Sequence, residues 1–144
     1  MLRNIPKNIS PELMLILMQM GHGDEIVFGD ANFPAQSLGK QVVRLDGERI
    51  SSLLQSIMPL FPLDNFCGEN VFLMEIVAGK GEAPAVWEKY EAIIRENDRE
   101  TAFIKFKRLE RFAFYERAKN AFAVVATGEK EKYSNIILKM GIVE

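Results

Sequence analysis

The sequence predicts a single α/β domain in which helices flank a central mixed or mostly parallel sheet. Short runs of β-branched and aromatic residues alternate along the chain with segments whose apolar residues recur at helical spacing. Such alternation is typical of strands connected through helices that pack back onto the sheet. No internal repeat, low-complexity segment or linker interrupts residues 1–144, so the whole chain is expected to form one domain.

The N-terminal half begins with a helix predicted over residues 11–20. Ser10 can cap its first turn, and Pro11 is favoured there because proline has no N–H to satisfy. The helix is apolar nearly all round, which favours burial on more than one face, part of it against another subunit. Gly21 is expected to end the helix in the left-handed conformation. The other elements predicted in this half are strands over 25–28, 41–45 and 71–77 and a helix over 49–58.

The C-terminal half continues the alternation of strands and helices. Helical spacing of apolar residues predicts helices over 85–96 and 109–120. β-branched, small and aromatic residues predict strands over 101–106, 121–127 and 134–139. The aromatic residues around the last helix are expected in the core or in a subunit interface, because aromatic side chains dominate both.

Composition narrows the possible partners and the location. The 144 residues include 18 basic and 20 acidic side chains, so no excess of positive charge is available for nucleic acid. The single cysteine, Cys67, cannot form a disulfide within the chain, which favours a reducing compartment. The longest apolar run, residues 13–18, is too short to span a bilayer, and no signal peptide is recognisable. We therefore expect a cytoplasmic protein with neither a membrane nor a nucleic-acid partner.

His22 is the only histidine of the chain, and it stands between two glycines. Histidine is the natural proton carrier near neutral pH, and flanking glycines allow a sharp turn and a close approach by another group. Asp30 follows the strand predicted over 25–28, where a carboxylate would lie at the exit of the strand. The alternative interpretation is an exposed loop histidine followed by a turn aspartate. The chain has no phosphate-binding glycine motif and no Cys/His spacing typical of zinc, so neither a cofactor nor a metal is expected.

Several motifs in a fixed order resemble those of the L-fucose mutarotases, which share a superfamily with the D-ribose pyranases. The resemblance extends from Ser10 to the C-terminus. The motifs that carry it are MGHGDEIV from residue 20, DANFP from 30, RLDG from 44, LFPLD from 60, RFAFYERA from 111, TGE from 127 and YSNIILKMG from 133. The segment from residue 85 and the continuous RFAFYERA motif resemble the fucose branch more closely than the ribose branch.

The resemblance implies a D-ribose pyranase-like fold, a homo-oligomer and a sugar site. His22 matches the proton donor of the family. The residues that match its sugar-binding positions are Asp30, Arg111, Tyr133, Ser134 and Asn135. Ser134 departs from the family pattern, which has glycine there. Relatives form decameric rings or smaller assemblies in which a neighbouring subunit helps to complete the site.

The chemistry of such a site needs few groups. Interconversion of the α and β anomers of L-fucose requires a proton at the ring oxygen and removal of another from the C1 hydroxyl, which one positioned histidine with a proton partner can assist. Trp87 or Phe112 is a candidate contact for the methyl group of fucose. Two alternatives remain open at this point: pyranose to furanose exchange on ribose-type sugars, and a non-catalytic fucose-binding regulatory module.

Overall fold

A six-stranded sheet and five helices make up the computed structural model, which describes residues 1–144. The helices are α1 (Pro11–Gln19), α2 (Ala35–Leu38), α3 (Ile50–Ile57), α4 (Val86–Asn97) and α5 (Arg111–Asn120). The strands are β1 (Glu25–Gly29), β2 (Val42–Leu45), β3 (Val71–Met74), β4 (Lys107–Leu109), β5 (Ala123–Thr127) and β6 (Ile136–Lys139). None of the helices is long and apolar enough to cross a membrane.

The strands lie in the order β2-β5-β1-β6-β3-β4. β6 is antiparallel to both of its neighbours, β1 and β3, whereas the other three pairs are parallel. Five strands therefore end at one edge of the sheet, where β6 begins; we call it the carboxyl edge, and the opposite one the amino edge. The predicted mixed sheet is confirmed, and its carboxyl edge is where open α/β sheets usually bind ligands.

Side chains alternate across the sheet and form two unequal cores. On β1, Ile26 and Phe28 pack into a cluster of 28 buried residues that includes side chains of α1, α3 and α4. Val27 points to the other side, into a cluster of 11 residues with α2 and α5. Helices thus cover both faces, as predicted, and the α2 and α5 layer is the thinner one.

The strand predicted over 101–106 is wrong. Side chains from α4 and its C-terminal end satisfy the backbone there: the Phe103 N–H donates to Asp98 Oδ2 at 2.6 Å, and Arg95 donates to the carbonyl of Ile104 at 2.9 Å. An irregular segment therefore buries Phe103 without pairing to the sheet. The strand follows instead as β4, whose exposed Lys107 and Arg108 suit an edge strand because charged side chains discourage further pairing.

Helix α1 ends differently from the prediction. The chain leaves the helix through Met20 in an extended conformation, and the left-handed residue is Gly23, with a φ of 87°, not Gly21. The apolar surface of α1 is only partly covered within the chain: Leu15 and Met18 remain 57% and 79% exposed. The short helix α2 was not predicted, because four residues after a proline carry no periodic signal.

Candidate active site

Asp30 lies at the carboxyl edge, directly after β1. Its backbone N–H donates to Asn135 Oδ1 at 2.7 Å, and its Oδ1 accepts the Asn32 N–H at 2.9 Å. Only 9% of the residue is exposed. Burial raises the pKa of the Asp30 carboxyl, against the opposing effect of hydrogen bonds from Asn32 and Asn135. The site thus contains a carboxylate that few protein donors satisfy.

The backbone around Asp30 is closely fitted. A Cβ at Gly29 would lie 2.7 Å from the Phe33 ring, so glycine lets that ring pack over the end of β1. The Thr127 hydroxyl donates to the Gly29 carbonyl at 2.8 Å and ties β1 to the end of β5. These contacts fix the direction in which Asp30 leaves the sheet.

The segment from Tyr133 to Asn135 precedes β6 at the same edge. Tyr133 is left-handed, with a φ of 58°, whereas Ser134 is not. The Ser134 side chain is buried, and its hydroxyl donates to the Glu131 carbonyl at 2.6 Å. A serine at this position is therefore accommodated with a hydrogen bond and without a left-handed backbone.

A cavity of about 260 Å³ opens between these residues. It is lined by Asp30, Asn32, Phe33, Met74, Lys80, Tyr115, Lys132, Tyr133 and Asn135. Three of the predicted sugar-binding residues, Asp30, Tyr133 and Asn135, thus come together although more than 100 positions separate the first from the others. The polar groups and the apolar wall of Phe33 and Met74 suit a small polyhydroxylated ligand.

The other predicted sugar-binding residues do not line this cavity within one chain. Ser134 lies behind it. Arg111 is exposed at the start of α5, where its guanidinium stacks 4.7 Å from the centroid of the Phe112 ring. Phe112 is also exposed, and Trp87 is buried, with its indole N–H donating to the Tyr133 carbonyl at 2.7 Å. Neither candidate for the methyl contact reaches the cavity lining of a single chain.

His22 lies at the amino edge, three residues before β1. Its Nε2 is 3.2 Å from Asp64 Oδ1, its ring packs against Phe66 with 4.8 Å between centroids, and 43% of its side chain is exposed. The left-handed Gly23 that follows donates its N–H to the Met140 carbonyl at 2.8 Å, which fixes the loop against the end of β6. His22 is therefore oriented from one side and open to solvent on the other.

Asp64 is the partner that sequence reasoning missed. Its side chain is 2% exposed and accepts hydrogen bonds from the Phe66 N–H, at 3.0 Å, and from Cys67 Sγ, at 3.0 Å, with Lys139 Nζ 3.4 Å away. Burial acts to raise the pKa of Asp64, but these donors together with His22 outweigh it and lower the pKa to about 2. In the sequence, Asp64 ends the LFPLD motif. Nothing in that motif indicates a contact with a histidine 42 positions earlier.

Strand β1 separates the two halves of the predicted site. Asp24 and Asp30 lie at its two ends, roughly 20 Å apart at about 3.3 Å per residue. His22 and Asp30 therefore do not share one site within a chain. Asp30 belongs with Tyr133 and Asn135, whereas His22 belongs with Asp64. No group of three or more His, Cys, Asp or Glu side chains is arranged to hold a metal ion.

An open α/β sheet with a polar cavity at its carboxyl edge defines a class of small-molecule-binding domains. Within that class, the chain belongs to the RbsD / FucU transport protein family, whose sequence model matches residues 3–143. It is 47% identical over 142 residues to the L-fucose mutarotase of Actinobacillus pleuropneumoniae serotype 5b (strain L20), a match that covers 99% of this chain and 97% of that protein.

Solved structures agree with this assignment. The fucose mutarotase of Streptococcus pneumoniae, crystallised in complex with L-fucose, matches with a TM-score of 0.93 and 45% identity over 99% of this chain and all (100%) of that chain. FucU from Bifidobacterium longum matches with a TM-score of 0.92 and 46% identity, again over 99% of this chain and 100% of that chain. The predicted family and its fold are confirmed.

Proposed function

We propose that this protein is an L-fucose mutarotase, an isomerase that interconverts the α and β anomers of the sugar. The observation that carries the proposal is the cavity built on Asp30, Tyr133 and Asn135, in a chain 47% identical along its length to an L-fucose mutarotase. The buried Asp30 carboxylate accepts hydrogen bonds from sugar hydroxyls, because its few protein donors leave acceptor positions open. Tyr133 and Asn135 add further polar contacts.

His22 supplies the proton in this proposal. Its Nε2 faces Asp64, and its other ring nitrogen makes no hydrogen bond within the chain. The Asp64 carboxylate orients the ring and stabilises the imidazolium, as the aspartate of a catalytic triad does. In the imidazolium form the free ring nitrogen donates its proton to the ring oxygen of the sugar, while a water molecule takes the proton of the C1 hydroxyl, so the C1–O bond to the ring breaks and an aldehyde forms. On closure both proton transfers run in reverse. A proton transfer by a positioned group accelerates such a step by about 100- to 10,000-fold.

The complete site requires two copies of the chain. His22 and Asp30 lie at opposite edges of the sheet, so a sugar held at Asp30 can meet only the His22 of a neighbouring copy. A contact that brings the two edges together can occur twice across the two-fold axis of a dimer, or once at each interface of a ring that closes. We propose a homo-oligomer, a decameric ring or smaller, supported by the exposed apolar Leu15 and Met18 of α1. Arg111, exposed at the carboxyl edge, reaches the sugar in that assembly.

Saturation-transfer NMR on L-fucose, D-ribose and D-galactose tests the reaction. We expect anomer exchange of L-fucose well above the buffer rate. Faster pyranose to furanose exchange of D-ribose would indicate the pyranase reaction instead. Binding of L-fucose in calorimetry with exchange at the buffer rate would identify a non-catalytic binding module. A cytoplasmic location and the absence of nucleic-acid partners stay predictions of the sequence.

A further inference from the structure

Tyr133 adopts a conformation that its side chain does not favour. It is one of three residues other than glycine with a positive φ, the others being Asn4 and Thr101. For a bulky residue this left-handed conformation persists only where the surroundings impose it. Because Tyr133 and Asn135 both line the cavity, the turn between them decides where their side chains point.

Two side chains of α4 reach the backbone of this turn. The Trp87 indole N–H donates to the Tyr133 carbonyl at 2.7 Å, and the Tyr90 hydroxyl donates to the next carbonyl, that of Ser134, at 2.8 Å. The two residues stand three positions apart, so they share one face of the helix. Both are buried, and neither lines the cavity.

Each donor is fixed in the protonation state and the orientation that the contact needs. Burial raises the pKa of the Tyr90 phenol, helped by the nearby Glu129 and Glu131, so it stays a neutral donor. The Trp87 ring is held on its other side by Arg108, whose guanidinium lies 4.9 Å from the ring centroid. Arg108 in turn lies 3.8 Å from Glu75, which follows β3.

We propose that Trp87 and Tyr90 are positioning residues that hold Tyr133 in its left-handed turn and thereby aim Tyr133 and Asn135 into the sugar cavity. The inference deepens the proposed function and rests on it for its kinetic consequence. The two hydrogen bonds act on successive carbonyls, so they restrain two successive peptide planes, the one from Tyr133 to Ser134 and the one from Ser134 to Asn135. Loss of either donor leaves a buried carbonyl without its partner and frees the peptide plane that contains this carbonyl to rotate.

Tyr90→Phe and Trp87→Phe remove the donors and keep an aromatic side chain. The matched control is Ile94→Val, which removes a buried methyl group from the same helix without touching the turn. We expect amide hydrogen exchange of residues 131–136 to rise several-fold in both donor variants. Anomer exchange of L-fucose should fall about ten-fold in kcat, because a slight misplacement of a binding group is costly. The control should stay within about two-fold of the unsubstituted protein in both measurements.

Unchanged amide exchange of residues 131–136 in both donor variants overturns the inference, whatever the enzymatic rate. An equal rise in Ile94→Val also overturns it, since a general loosening of α4 would then explain the effect. Failure of the unsubstituted protein to exchange L-fucose anomers would instead contradict the proposed function, and the hydrogen-exchange comparison would still decide the role of the two donors.

Discussion

The two edges of the sheet each hold a buried aspartate beside the proposed site, Asp64 and Asp30, and the pKa values of the two shift in opposite directions. At the amino edge, Asp64 is surrounded by donors, and its pKa falls to about 2. At the carboxyl edge, burial of Asp30, helped by the charge of Glu129, prevails over hydrogen bonds from Asn32, Asn135 and Phe33, and the pKa of Asp30 rises. The surroundings of each carboxylate therefore decide the sign: the donors beside Asp64 include Lys139 and favour its charged form, whereas burial and Glu129 disfavour the charged form of Asp30.

The two carboxylates differ in their partners, since Asp64 is bound by protein donors whereas Asp30 lines the cavity. The acceptor positions of Asp64 are occupied by His22, Phe66, Cys67 and Lys139, so its charge is stabilised by the protein itself. Asp30 keeps acceptor positions facing the cavity, which sugar hydroxyls can occupy. A site that is incompletely satisfied without its ligand costs stability, a common trade-off at functional sites.

The largest expected effect is on activity, and it comes from two variants that each lack one group of the shared site. His22→Ala and Asp30→Ala should each lower L-fucose anomer exchange by at least about 100-fold. When the two inactive variants are unfolded together and refolded, a mixed oligomer forms. About a quarter of its interfaces then place an intact His22 against an intact Asp30, so exchange should return to about that fraction.

Mixing the two variants without unfolding is the control, since preformed oligomers should regain little activity until subunits exchange. A mixture that stays as inactive as its components after refolding would show that His22 and Asp30 do not meet across copies. That result would remove the reason for a shared site and would require a different proton donor near Asp30.

The next largest effect is expected on stability, at Asp64 of the amino edge. The folded pKa of about 2 lies below the ordinary value of 3.8, so the contribution of Asp64 is present above about pH 4 and is lost as the pH falls toward 2. That difference corresponds to about 2 kcal/mol. Asp64→Asn should therefore lower the free energy of unfolding by about 2 kcal/mol at pH 7 and by little near pH 2.

Urea unfolding at both pH values measures this difference. Asp46→Asn is the matched control, because Asp46 pairs with Arg44 on the exposed surface, where solvent screens the ion pair and its loss should change stability little. Equal destabilisation by Asp64→Asn at pH 7 and near pH 2 would mean that packing, not charge, accounts for the role of Asp64.

The contrast also explains how far the sequence could predict the molecule. Periodicity and turn residues predicted the α/β class and most elements, because these depend on local spacing. The strand over 101–106 failed because Arg95 and Asp98 satisfy that backbone from outside the segment. Asp64 was missed as the partner of His22 for the same reason, since the contact spans 42 positions with no local pattern.

Asp30→Asn should have a smaller effect on stability, of opposite sign to Asp64→Asn. Because the folded pKa of Asp30 lies above 3.8, its ionised form opposes folding as the pH rises through that range. The amide keeps an acceptor for the Asn32 N–H and removes the charge. We expect a higher urea midpoint at pH 7, no change near pH 3 and weaker L-fucose binding in calorimetry. Destabilisation at pH 7 would show that the carboxylate is as well satisfied as Asp64.

The smallest effect is expected at Ser134, behind the cavity. Ser134→Gly introduces the residue that the resemblance implies at this position but removes the hydrogen bond to the Glu131 carbonyl. The backbone of Ser134 is not left-handed, so glycine relieves no strain and only adds freedom to the unfolded chain. Stability should fall by about 1 kcal/mol in urea unfolding, with anomer exchange within about two-fold. Faster anomer exchange in Ser134→Gly would mean that flexibility at residue 134 favours the reaction. That result would contradict the expectation that the site depends on a rigid carboxyl edge.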